Sequence, residues 1–245
     1  MNSGRMMRHP GPNRTAGKRT LLALGCAVFA AVFIGEGCSR RRAVIAPVPM
    51  TLNEVEGYAS LKLTQSGETA KSKFSFILEL SRRARVEIQD PLGRTAAVIF
   101  IDDRDGYFVL ASKKVYWKAA ADEIISKFLG TPLNLPEIAG LLCGRWSGKG
   151  EGDAVLAGWA LNRDGQGRWE SGRREALAFK VREFFPESPV PRRVEFQTIS
   201  CQGNLSLLSM EFNKPLSVSV FDLDFLNGYA SKSWEYIEKA LRHED

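Results

Sequence analysis

The chain has 245 residues, 44% of them hydrophobic, which is enough for one domain with appendages and a real core. Its formal charge of +6 points to nucleic acid only until the charge is located. Arg5, Arg8, Arg14, Lys18 and Arg19 lie in residues 1–37 with Glu36 alone against them, and Arg40, Arg41 and Arg42 follow; the remainder is near neutral, which removes the main support for a nucleic-acid partner.

In chain order, the first segment reads as a secretory signal. A basic stretch ends at Lys18-Arg19, and Leu21–Ile34 is an apolar run too short to span a bilayer comfortably. Gly35-Glu36-Gly37-Cys38 comes next. A small residue before a cysteine at the end of an apolar run resembles the lipobox of bacterial lipoproteins, where the cysteine is lipidated and becomes the new N-terminus. The resemblance implies a signal peptide over 1–37, lipidation at Cys38 and a lipidated tether over 38–52. Ser39 in the next position implies release to the outer membrane, with the protein anchored on the periplasmic face. An uncleaved signal anchor is the alternative.

The body begins near residue 53. Tyr58–Leu63 and Phe74–Leu80 alternate with the period of strands, and the polar stretch between them contains Gly67, a hairpin signal. Val86 and Ile88 alternate with Glu87 and Gln89, Pro91 and Gly93 mark a turn, and Ala96–Ile101 is almost wholly apolar, as in a strand covered on both faces. Leu92 stands at the tip of this hairpin. It either folds back onto its own sheet or points outward. Tyr107–Ala111 and Val115–Trp117 complete an antiparallel meander.

At Ala119 the period changes. Ala121, Ile124, Ile125, Phe128 and Leu129 recur on one face of a helix, with Gly130 as its cap and Pro132 as its stop. A second short helix is expected from Pro136, preceded by Asn134 or Leu135 and ended by Gly144. Strands are then expected at Ala154–Leu161, Arg168–Glu170, Leu177–Arg182, Arg193–Ile199, Asn204–Phe212 and Leu216–Leu223. A terminal helix over Ser231–Leu241, capped by Ser231, falls in an appendage spanning 230–245.

Strands, helices near 119–143, then strands again predict a mainly β (α+β) body over 53–229. The expected architecture is a strongly curved antiparallel sheet, a half-open β-barrel, with helices as lid or plug on its concave face. Such a sheet either fills its interior or leaves a cavity. The expected lining is Phe74, Phe76, Leu78, Val98, Phe100, Phe108, Trp117, Ile124, Ile125, Phe128 and Leu129.

The chemical inventory is thin. His9 and His243 both lie outside the body, so histidine-based nucleophilic and metal sites have no ligands there. Cys143 and Cys201 are too far apart in sequence for a paired-cysteine zinc motif, and a disulfide between them is open. Asp102-Asp103 and Asp222–Asp224 read as solvated turn or edge carboxylates. No catalytic residue, metal ligand or cofactor is expected.

DPLG at Asp90–Gly93, the strand after it, and ADEIISKFLGTPLNLPEIAGLLCG at Ala121–Gly144 together resemble the LolB family of outer-membrane lipoprotein receptors. The resemblance covers residues 56–144. It implies an apolar cavity that takes the acyl chains of lipoproteins from a LolA-type periplasmic carrier and releases them into outer-membrane lipid, with Leu92 as the membrane-inserting residue of the loop. Two competitors remain: an envelope lipoprotein of the same fold that binds another lipid or glycolipid or serves envelope assembly, and a periplasmic hydrolase with an acidic pair facing the cavity.

Overall fold

The computed structural model describes residues 45–242 apart from 66, 81, 130–132, 147–157 and 200. The signal, Cys38, the first part of the tether, the Gly130–Pro132 helix stop and most of the strand expected at Ala154–Leu161 lie outside the described residues.

Among the described residues twelve strands form one sheet. They are β1 (Glu54–Gln65), β2 (Glu68–Glu79), β3 (Arg83–Gln89), β4 (Thr95–Asp102), β5 (Asp105–Leu110), β6 (Val115–Ala120), β7 (Ala160–Arg163), β8 (Trp169–Arg174), β9 (Leu177–Phe184), β10 (Pro191–Gln197), β11 (Cys201–Phe212) and β12 (Ala230–Ser231). Their order across the sheet is β12-β6-β5-β4-β3-β2-β1-β11-β10-β9-β8-β7. Neighbours are antiparallel except β12, which pairs in parallel with Val115 and Tyr116 of β6. The mainly β class with an open, curved sheet and helices on its inner face is the one observed. Residues of β4 and of β9, six places apart in the order, line one hollow, so the sheet wraps around it.

Among the described residues three helices complete the body: α1 (Ala121–Leu129), α2 (Leu135–Cys143) and α3 (Trp234–Arg242). α1 is held close to β5 because Gly106 has no side chain; a Cβ there would sit 2.5 Å from Cγ1 of the fully buried Ile124. α2 begins with a capping box: the Asn134 side chain accepts from the Glu137 amide, and the Glu137 carboxylate accepts from the Asn134 amide, both at 2.9 Å. Gly144 closes it in the left-handed conformation, φ 66°.

Three sequence expectations change. Leu216–Leu223 is not a strand; it contains a one-turn 3-10 helix, Val218–Phe221, and the segment runs on through a second at Asp224–Leu226. The terminal helix starts at Trp234 rather than Ser231, because Ser231 is taken into β12 and cannot cap. The tether is also partly built into the body. Ile45, Val48 and Leu52 pack against the core, and Arg145 donates to the Pro49 carbonyl.

Candidate functional site: an apolar cavity and its rim

The concave face of the sheet and the inner sides of α1 and α2 enclose a cavity of about 310 Å³. Phe74, Phe76 and Leu78 reach it from β2, Ile125, Phe128 and Leu129 from α1, and Phe179, Val194 and Phe196 from the far side of the sheet. Among the described residues, Ser72 is the one polar residue in a lining otherwise made of aliphatic and aromatic side chains. Such a hollow offers a ligand almost nothing but hydrocarbon contact.

The pleat divides the remaining expected residues. Side chains along a strand alternate between faces, and in β4 it is Ile99 and Ile101 that face the cavity. Val98 and Phe100 therefore point to the outer face, where with Val109 they form a separate cluster covered by Leu223, Leu226 and Tyr229. Phe100 stacks on Phe225 at 5.2 Å and lies under the Arg85 guanidinium, which donates to the Val220 carbonyl at 2.8 Å. The continuous apolar run of β4 is explained by this second cover. Phe108 and Trp117 are on the concave side but behind the hollow: Phe108 stacks on Phe128 at 4.7 Å, and Trp117 meets Trp234 of α3 at 4.8 Å. Ile124 is spent against Gly106.

The lid is fastened by a residue that sequence reading passed over. Glu137 is 3% exposed, and its carboxylate accepts from Trp159 Nε1 at 3.0 Å and from Arg174 of β8. Trp146, just past α2, stacks on Phe179 of β9 at 5.8 Å. α1 is thus tied to β5 and β6, while α2 is tied to the other half of the sheet. Asn134 and Glu137 stand at capping-box spacing in the sequence, but nothing local announces Arg174 or Trp159 as partners.

The cavity opens at one end. Of the lining residues that keep some exposure, Leu61, Leu63, Phe74, Ile88, Phe196 and Leu205 lie toward the end of the sheet that carries the turns after β1, β3 and β10; Val86 and Ile99 in the sheet, Phe128 and Leu129 on α1, and Ile138 and Leu141 on α2 keep some as well. Phe76, Leu78, Ile101 and Val194 are buried. Leu92, in the turn after β3, is 78% exposed and does not fold back on the sheet.

That turn is stiff. The Asp90 carboxylate accepts from the Leu92 amide at 2.8 Å, the Arg94 amide at 2.9 Å and Arg94 Nε at 2.7 Å; Gly93, φ 80°, supplies the left-handed position. The Arg94 backbone and side-chain donors hold the Asp90 carboxyl below its ordinary value. The same set recurs between β7 and β8, at the opposite end. There Asp164 accepts from the Gln166 amide, the Arg168 amide and Arg168 Nε at 2.9, 2.9 and 2.8 Å, with Gly167 at φ 78°. Burial opposes the shift at Asp164, but the Arg168 and Gln166 hydrogen bonds prevail and lower its pKa as well. Two turns of one design therefore carry leucine at the cavity end and glutamine at the far end.

The carboxylate pairs stay away from the cavity. Asp102 and Asp103 are exposed at the β4–β5 turn, and Asp222 and Asp224 are exposed beside the outer-face segment. Cys143 and Cys201 are free thiols; burial pushes Cys143 up to about 12. Among the described residues no helix is long and apolar enough to cross a membrane.

No protein-family model matches the sequence, and a search of curated proteins finds no match. The structure is similar to a LolA superfamily protein from Nitrosomonas europaea, with 10% identity, 73% of this chain and 94% of that one covered, and a TM-score of 0.45. It is similar to a DUF1329 family protein from Desulfovibrio piger, with 9% identity, coverage of 72% and 92%, and a TM-score of 0.47. A domain assigned to outer-membrane lipoprotein sorting, from Vibrio parahaemolyticus, is similar at 10% identity, with coverage of 71% and 91% and a TM-score of 0.48. None of these three names is that of the LolB family that Asp90–Gly93 and Ala121–Gly144 resemble.

Proposed function

We propose that the protein is a lipid-anchored envelope receptor that takes acyl chains of lipoproteins into its cavity and helps pass them into the outer membrane. The observation that carries this reading is the cavity lining, in which Ser72 alone is polar among the described residues. Hydrocarbon is the ligand that such a surface favours, because burying each CH₂ gains about 0.8 kcal/mol and no polar group asks to be satisfied. The exposed leucine at the open end, set in a turn that does not itself require leucine, supports delivery at a lipid surface. Cys38 is the proposed lipidation site, supported by the lipobox-like Gly35–Cys38, and a LolA-type carrier the proposed donor, supported by the resemblance of Asp90–Gly93 and Ala121–Gly144.

The test has two readouts. Chains purified from a lipid-rich host are extracted and analysed by mass spectrometry for acyl ligands. Lipoprotein transfer from a loaded carrier to liposomes bearing the receptor is then timed. Bound diacyl or triacyl species and receptor-dependent transfer are the expected results. A cavity loaded with glycolipid or another lipid, together with no acceleration of transfer, would move the protein to a different lipid-binding role.

A further inference from the structure

Leu92 is not the only bare apolar tip at the open end. Ile199, in the turn between β10 and β11, is 91% exposed. That turn is tight: the Thr198 amide donates to the Cys201 carbonyl at 2.8 Å, and Thr198 itself is buried. Ile199 is therefore held out by its frame. The register places it on the same rim as Leu92. Cys201 pairs with Gln65 at the end of β1, Gln65 with Glu68, and Lys73 with Gln89, the residue before the Leu92 turn. Four strand spacings separate the two turns, roughly 19 Å across the sheet, and the five residues from Lys73 to Glu68 set the Ile199 turn farther out along the strands. Met50 is as exposed, but it precedes β1 and so belongs to the other end.

Between the two tips runs the β1–β2 hairpin, and its outer face is basic. Lys62 and Lys71 lie directly opposite each other in the ladder, and Lys73 follows on the same face. Like charges set opposite across a ladder repel, so this pair is unfavourable without an anion nearby. All three lysines are exposed, and all three line an outward depression that also includes Asp90, Pro91 and Gly93 of the Leu92 turn. Asp90 is already engaged by Arg94, at 2.7 Å to Nη2; on the same outer face Glu87 is paired with Arg85 and Glu195 with Arg182, and Glu68 stands at the hairpin end. The rim is net positive.

Resting on the receptor reading above, we infer that the open end is a two-point seat on an anionic lipid surface: Leu92 and Ile199 enter the interface on either side, and Lys62, Lys71 and Lys73 bind phosphate head groups between them. Two tips and a charged strip define a plane, whereas one leucine defines only a pivot. Lysines near a negatively charged bilayer attract it within a Debye length, and apolar tips contribute only on contact.

The full chain, with its own N-terminal segment, is reconstituted into phosphatidylcholine vesicles with or without phosphatidylglycerol. Benzoylphenylalanine replaces Leu92, Ile199 or, as a far-end control, Gln166, and lipid adducts are counted by mass spectrometry after illumination. Adducts are expected at positions 92 and 199 and not at 166. Those at 199 should rise about fivefold on anionic vesicles and lose that gain in Lys62→Ser/Lys71→Ser/Lys73→Ser. Adducts at 92 without adducts at 199 would overturn the seat and leave the receptor reading standing. Adducts at neither position would count against lipid delivery itself. Equal adducts at 166, adducts at 199 indifferent to phosphatidylglycerol, or adducts to protein in place of lipid would each overturn the seat.

Discussion

Leu92 and Gln166 occupy the same position in two turns with the same hydrogen bonds, each with its amide held by the aspartate two residues earlier, at 2.8 and 2.9 Å. The turn therefore accepts either side chain, and the choice of leucine at the open end has a cause outside the turn. Leu92→Gln should leave the unfolding midpoint and acyl loading within error. It should also slow transfer to liposomes, since at most roughly 1.5–3 kcal/mol of leucine burial is lost at the interface. Thermal denaturation and timed transfer at equal cavity occupancy check both halves.

Asp90 sets the stiffness of that tip, and its depressed pKa gives the sign of the pH effect. A carboxylate with a lowered folded pKa contributes its full stabilisation above the ordinary value of 3.8 and loses it as pH falls through the lower, folded value. Hydrogen exchange at the Leu92 and Arg94 amides should thus show constant protection, after correction for the intrinsic rate, from about pH 5 to pH 8. Protection should fail in strong acid. Asp90→Ala should abolish it at every pH.

Gly203 faces the ring of Phe196 so closely that a Cβ would lie 2.1 Å from Cζ. Because Phe196 lines the cavity near its open end, Gly203→Ala should force the ring inward. The expected outcome is a loss of roughly 1–3 kcal/mol in urea unfolding, typical of overpacking, together with reduced acyl loading. Loading unchanged by the substitution would show that the ring has another way to move.

Phe100 gives the complementary case. It is 1% exposed on the outer face, packed by Phe225 and Arg85. Phe100→Ala should cost about 3–5 kcal/mol of stability, yet the folded fraction should carry its normal acyl load. Ligand measured per folded molecule separates this from a cavity defect.

Glu137 and Arg174 join α2 to β8 across a buried ion pair. Arg174→Met leaves a carboxylate 3% exposed with only the Trp159 and Asn134 donors, and should destabilise by roughly 3–5 kcal/mol. Glu137→Gln/Arg174→Met should recover part of that loss. A double-mutant cycle in urea measures the coupling.

How much of this was legible depends on whether the signal was local. The hairpin around Asp90–Gly93, the α1 face and the Gly144 cap are written in short stretches, by turn chemistry and by period. Leu92 could be placed at a tip but not aimed, because orientation depends on what lies beside the turn. The run Ala96–Ile101 announces two covered faces and is silent on which is the cavity; the answer lies in Leu223, Leu226 and Tyr229, more than a hundred residues later. Leu216–Leu223 has the alternation of a strand, yet it packs sideways over the outer face. Phe108 and Trp117 looked free to line the hollow until Trp234 was seen to close over them. Ile199 was inside an expected strand, and only the register made it a tip.

An open sheet has two margins, and both are short here. β7 at one margin has four residues, and β12 at the other has two, running parallel to β6 and leading directly into α3. Unpaired strand margins are templates for further chains to add on. A bare margin would meet that hazard at every encounter with a second copy. Ala230–Ser231 and α3 cover that margin: without them, the six residues of β6 would lie bare, with Trp117 uncovered next to them. The terminal helix contributes no residue to the hollow; its place is at the edge of the sheet.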